Sequence, residues 1–177
     1  MRNLVVFLMI FISGCSSIQK ITYLIAPKPT ISKQIVFKKV VGVEDIELPY
    51  YLQDGKIPYV KDGKIEFFNS FFANSPEDFI KKRAINILKN SYKDAYDYPW
   101  ENKSADLLLK IYIKKFITIK NTLVFEASYE FYSKDKKLLK RESFKRSIVI
   151  NEISDRKILS SMMRVFDEFI SSIHFFS

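Results

Sequence analysis

The 177-residue chain has one cysteine, one histidine, one tryptophan, four glycines and six prolines. A single Cys15 excludes an internal disulfide framework and any multi-cysteine zinc or iron–sulfur site. A single histidine, His174, four residues from the end, excludes a His/Cys metal cluster and leaves serine or cysteine triads without a well-placed base. So few glycines exclude a phosphate-cradling loop, a Walker A motif and collagen-like sequence. There is no Gly-x-Ser-x-Gly elbow and no spaced-aspartate calcium loop. No cofactor and no metal are therefore expected.

What is abundant is apolar and basic. The chain is 47% hydrophobic, too apolar for a disordered tail, and long enough for one domain that buries roughly two thirds of its unfolded surface. Its net charge of +9 comes from 29 basic residues, of which only six are Arg. Readers of nucleic acid favour the bidentate Arg fork, so no nucleic-acid partner is expected. The excess charge does attract anionic surfaces such as phospholipid headgroups.

The N-terminus reads as an address. Arg2 is followed by an unbroken apolar run from Leu4 to Ile12, then Ser13, Gly14 and Cys15. Nine apolar residues are too few for a membrane span, which needs about 20, and the pattern is that of a secretory signal. Ile12-Ser13-Gly14-Cys15 resembles the bacterial lipobox, in which the Cys is acylated and becomes the mature N-terminus. Three expected segments follow: a lipoprotein signal peptide over 1–14, lipidated Cys15 and a tether over 15–33, and a folded domain over 34–177. Ser16, not Asp, stands next to the Cys. By the enterobacterial sorting rule this resembles an outer-membrane address on the periplasmic face.

Along the domain, the periodicity switches twice. Ile21–Ile25 reads as a short edge strand, Ile35–Val43 as a buried strand, and 48–53, 56–60 and 64–69 as a small meander. Asp54-Gly55 and Asp62-Gly63 carry hairpin-turn chemistry. Ser75-Pro76-Glu77-Asp78 starts a helix whose apolar face is Ile80, Ala84, Ile87, Leu88 and Ser91, ending near Tyr92. A short strand over Asp94–Trp100 precedes three alternating segments. In these, Leu107, Leu109, Ile111 and Ile113 share a face, as do Leu123, Phe125, Ala127, Tyr129 and Phe131. Glu126, Ser128 and Glu130 lie opposite, on a wet face. Ser154 and Asp155 open a last helix with the stripe Ile158, Leu159, Met162, Met163, Phe166, Phe169, Ile170 and Ile173. The expected class is α+β: an antiparallel sheet with two amphipathic helices on one face, a single domain.

Candidate binding features are three. Phe67, Phe68, Phe71 and Phe72 are four aromatics in six residues. Either the chain bends and buries them all, or some meet a partner or lipid. Residues 134–146 hold seven basic and two acidic side chains, reading as a solvated hairpin tip or a headgroup-attracting patch. The methionines of the last helix are core, or a lipid- or partner-binding face. Carboxylates cluster at Glu44, Asp45 and Glu47 and at Asp94 and Asp97, both beside turns where acids are ordinarily solvated. No enzyme is expected; a carboxylate hydrolase of the cell wall is the outside alternative. His174 is expected to fray.

From Tyr23-Leu24-Ile25-Ala26-Pro27 through Val41-Gly42-Val43-Glu44-Asp45-Ile46-Glu47-Leu48-Pro49-Tyr50-Tyr51-Leu52, Ile65-Glu66-Phe67, a helix near Pro76, and Tyr98-Pro99-Trp100, the chain resembles the ABC-type transport auxiliary lipoproteins. This is the family of the paraquat-inducible protein C component. The resemblance covers roughly Tyr23 to Ile173, and Phe71 or Phe72 stands where members often carry Trp. It implies a non-catalytic outer-membrane lipoprotein serving a periplasmic lipid-transport system. The implied partner is a protein with mammalian-cell-entry domains, and only Cys15 carries over as a functional residue. The sequence leaves room for a homo-oligomer. The alternative is an accessory lipoprotein of lipopolysaccharide export or peptidoglycan synthesis.

Overall fold

The structure, a computed structural model, describes residues 22–24, 37–72, 75–101 and 103–175. The side chains of 22–24, 69, 71 and 72 fall outside the description. So do Ile12, Ser13, Gly14, Cys15 and most of the expected tether.

The chain folds in the order β1 (Thr22–Leu24), β2 (Phe37–Glu47), α1 (Tyr50–Gln53), β3 (Lys56–Lys61), β4 (Lys64–Phe72), α2 (Pro76–Leu88), β5 (Tyr92–Asp97), β6 (Leu107–Ile119), β7 (Thr122–Tyr132), β8 (Leu138–Val149), α3 (Asp155–Ser171). This is the expected α+β class, with one eight-stranded sheet. The sheet is mixed rather than antiparallel. β1–β4, β2–β5, β2–β6 and β3–β6 are parallel, while β3–β4, β6–β7 and β7–β8 are antiparallel. The sequence reading joined neighbours along the chain through tight turns. In the fold, the connection through α2 carries the chain away from β4 and sets β5 beside β2 instead.

β6 is the spine, and the sheet forks beside it. β7 runs along nearly all of one side. On the other side β2 pairs as far as Tyr112, and β3 begins only at Thr118. The stretch expected as a strand over 48–53 fills this gap as a turn at Pro49 and one turn of helix, α1. Its Tyr51 hydroxyl accepts the Phe116 N–H at 3.0 Å, a backbone donor left between the two branches. Gly55, at φ +74°, ends α1 rather than forming a hairpin. Only Asp62-Gly63, both at positive φ, makes the expected type I′ turn.

Both long helices cover one face. Ile80, Ala84, Ile87 and Leu88 of α2 and the whole expected stripe of α3 are buried with Leu107, Leu109, Ile111 and Ile113 of β6 and the odd-numbered residues Leu123 to Phe131 of β7. Met162 and Met163 are therefore core. Phe116, Phe125, Phe131, Phe166 and Phe169 are fully buried, each contributing about 1.5–3 kcal/mol. α2 ends at Leu88, short of Tyr92, because the buried Tyr92 already belongs to the sheet. Ser75 and Ser154 occupy the cap positions without side-chain cap bonds. The helices are joined by Arg83, whose Nε and Nη2 each donate to Asp167 at 2.6 Å.

Residues 173–175 do not fray. Ile173 is fully buried. The Tyr92 hydroxyl donates to the Ile173 carbonyl at 3.2 Å and accepts the Phe175 N–H at 3.0 Å. The His174 carbonyl accepts from Lys140 at 2.7 Å, and Phe175 packs edge-on to Phe131. His174 is a packing residue beside Phe37.

Candidate functional site on the outer face of the sheet

The face away from the helices is where the sequence motifs converge. Gly42 lies on β2 with its bare Cα toward this side. A Cβ there would sit 3.0 Å from Tyr98 Cβ, 3.2 Å from Ala105 Cβ and 3.3 Å from a Leu108 methyl. A side chain there would have to push these neighbours back by a few tenths of an ångström, so glycine lets the Tyr98-Pro99-Trp100 turn settle closely onto β2. The Tyr98–Pro99 bond is cis. The Tyr98 N–H donates to the Val43 carbonyl at 3.0 Å. Beneath the turn, Tyr96, Ala105 and Leu108 form a second small apolar cluster with Val40, Tyr98 and Tyr132 around it. The Tyr96 hydroxyl donates to the Lys103 carbonyl at 2.7 Å, and the Lys103 ammonium stands over the Tyr96 ring. Trp100 emerges from this platform 82% exposed.

Further along the same face, at the fork, lies a cleft of about 380 Å³ lined by Glu47, Leu48, Pro49, Tyr112, Glu130 and Arg141 among others. Glu130, expected on a wet face, is 6% exposed. Its buried carboxylate is fully engaged. Arg141 donates from Nε at 2.6 Å and pairs through Nη2 at 2.5 Å, Tyr112 donates at 3.3 Å, and Tyr132 donates as well. The bond from Tyr132, then the Arg141 guanidinium, hold the Glu130 carboxyl below the usual carboxylate range. Burial, then the Glu130 charge, push the Tyr112 hydroxyl up to about 12. These bonds tie β8 to the sheet.

Sequence reasoning passed over this tie, yet a signal was present. A hairpin centred between Asp135 and Lys136 sets Glu130 directly opposite Arg141, as the register shows. The basic run of 134–146 is then the β7–β8 turn and most of β8. Lys140, Arg141, Lys145 and Arg146 pair with Glu142, Glu130, Glu126 and Glu168.

The other expected residues separate. The four phenylalanines lie on one continuous strand, so the chain does not bend to bury them together. Phe68 packs against the core beside Tyr59, and Phe67 stays 37% exposed. The side chains of Phe71 and Phe72 are outside the description. Of the carboxylates, Glu44 faces Lys110 and Lys136 at 3.7 Å, Asp97 pairs with Lys81 at 2.6 Å, and Asp94 with Lys103 at 3.5 Å. Asp45 and Glu47 are exposed. Among the described residues no group of three His, Cys, Asp or Glu side chains converges on a metal position. Among them, too, no helix is long and apolar enough to cross a membrane.

No family model matches the sequence, and no curated protein does. Solved structures do match. A crystal structure of an uncharacterized protein aligns at TM-score 0.68 and 11% identity over 86% of this chain and 95% of its own. Protein XCC0632 from Xanthomonas campestris, assigned to DUF330, a family of unknown function, aligns at TM-score 0.66 and 10% identity over 86% and 91%. A PelC dodecamer from Paraburkholderia phytofirmans aligns more loosely, at TM-score 0.46 and 11% identity over 79% and 89%. The chain shares the fold of the first two.

Proposed function

We propose that this chain is a non-catalytic accessory lipoprotein of the bacterial envelope. Acylated Cys15 anchors it to the periplasmic face of the outer membrane. There it docks the periplasmic end of an ABC-type lipid-transport system, through a protein with mammalian-cell-entry domains. The observation that carries this reading is the contact between Gly42 and Tyr98. The two stretches on which the family resemblance rests, Val41-Gly42-Val43 and Tyr98-Pro99-Trp100, are far apart in sequence and pack as one unit. The unit holds a tryptophan out to solvent, and exposed tryptophans make efficient anchors for a protein partner.

The test is crosslinking in intact cells from a photoreactive residue at position 100, with the partner identified by mass. Recovery of a mammalian-cell-entry protein is the expected result. Recovery of a lipopolysaccharide-export or cell-wall-synthesis component instead would keep the anchored accessory role and replace the system it serves. A turnover activity lost on Glu44→Ala or Asp97→Ala would overturn the non-catalytic reading.

A further inference from the structure

β1 marks one end of the sheet and β8 the other. β1 runs parallel to β4, with Thr22 opposite Ser70 and Leu24 opposite Phe72. The chain therefore enters the domain at Thr22 travelling in the direction of β4. The N-terminal end of β1 faces the side on which the earlier residues of β4 and the Asp62-Gly63 turn lie. Seven residue steps separate Cys15 from Thr22, and fully extended they span at most about 25 Å. From β1 across to β8 is five strand spacings, about 24 Å. A taut tether laid flat would only just reach β8, with no length left to rise from the sheet. An anchor at Cys15 would keep the bilayer within about 25 Å of Thr22, and so nearer the β1–β4 end than β8.

The chemistry at that end suits a bilayer. Ile65 and Phe67 stand on the same side of β4, each 37% exposed. Lys61 and Lys64 are exposed and directly opposite each other across the turn. Like charges so placed repel. Asp62 lies between them in the chain, but among the described residues neither lysine has a carboxylate in ion-pair range. Glu66, the nearest acid on β4, shares the lysines' side of the hairpin and accepts from the Tyr59 hydroxyl at 2.6 Å. The hairpin tip carries the two lysines on one side and the two exposed apolar side chains on the other, so entering end-on it brings cations to anionic headgroups and apolar groups to acyl chains.

We propose that the β3–β4 tip, with Lys61, Lys64, Ile65 and Phe67, is the surface that seats the domain on an anionic phospholipid bilayer. This rests on the acylation of Cys15 proposed above. It leaves β5 and the Trp100 turn, on the other branch of the fork, off the seated tip and available to a periplasmic partner.

The test uses full-length acylated protein in vesicles. Phe67→Cys supplies a free thiol for an environment-sensitive dye, Leu139→Cys supplies the same on β8, and a spin-labelled lipid quenches whichever enters the bilayer. Several-fold stronger quenching at position 67 than at 139, in vesicles containing phosphatidylglycerol, is the expected result. Lys61→Glu with Lys64→Glu is expected to weaken it in those vesicles and leave it unchanged in phosphatidylcholine alone. Equal quenching at both positions, or none at 67, in protein whose Cys15 peptide carries the acyl mass overturns the seat and spares the lipoprotein reading. An unmodified Cys15 overturns both. Quenching indifferent to phosphatidylglycerol and to the charge reversal overturns the anionic-lipid assignment.

Discussion

The β8 edge and the β3–β4 tip both carry basic side chains and treat them in opposite ways. On β8, Lys140, Arg141, Lys145 and Arg146 each face a carboxylate, two of them on the neighbouring β7. Cross-strand partners neutralise the strand, and positive charge on an exposed edge discourages pairing with other chains. At the β3–β4 tip, Lys61 faces Lys64, and among the described residues no carboxylate pairs with either. The charge-rich edge is thus internally satisfied, while the charge-poor one has binding capacity to spare. Net charge alone would have pointed to the wrong edge. What matters for a partner is the charge left over once internal pairs are counted.

The sharpest way to break this contrast is to unbalance β8. Arg141→Met keeps the side-chain stem but leaves the buried Glu130 carboxylate without its cation. A loss of about 2–3 kcal/mol in urea unfolding is expected. A loss near zero would mean that the tyrosines alone satisfy Glu130. Acid should act on the same tie. The Glu130 carboxyl is held below its ordinary value by Tyr132 and Arg141. Its stabilisation is therefore complete above the unfolded value of about 4.3 and is lost as pH falls through the folded value. The thermal midpoint should drop on acidification below about pH 5, and less steeply in Glu130→Gln.

Lys145→Ala, removing an exposed pair with Glu126, is expected to change stability by less than about 0.5 kcal/mol. Smallest of all, Lys61→Ala should leave stability unchanged or raise it by a few tenths of a kcal/mol, about the size of a relieved like-charge pair. A clear loss there would show that Lys61 has an internal role and would erase the contrast between the edges.

Much of the fold was legible because alternation is local. Leu107 to Ile113 and Leu123 to Phe131 declared their faces, as did the stripe of α3, and all are buried as read. The Asp62-Gly63 turn was legible because two adjacent positive-φ residues need that chemistry. Pairing partners were not. Nothing near Val41 announces that β2 lies between β5 and β6, and nothing near Pro49 announces the fork that turned an expected strand into α1. His174 looked loose because its contacts, Lys140 and Phe37, are distant in the chain. Glu130 looked solvated because alternation assigns a face without saying whether that face is wet.

The sequence by itself determined the periods, turns and helix starts, and it carried the Cys15 motif, since each of these is written in a few consecutive side chains. Only the tertiary structure decided that the sheet is mixed and forked, that Gly42 supports the Trp100 turn, and that Glu130 is buried beneath Arg141. Those outcomes depend on which distant backbones come within hydrogen-bond reach. That is settled by the packing of the whole core and by no local stretch of chain.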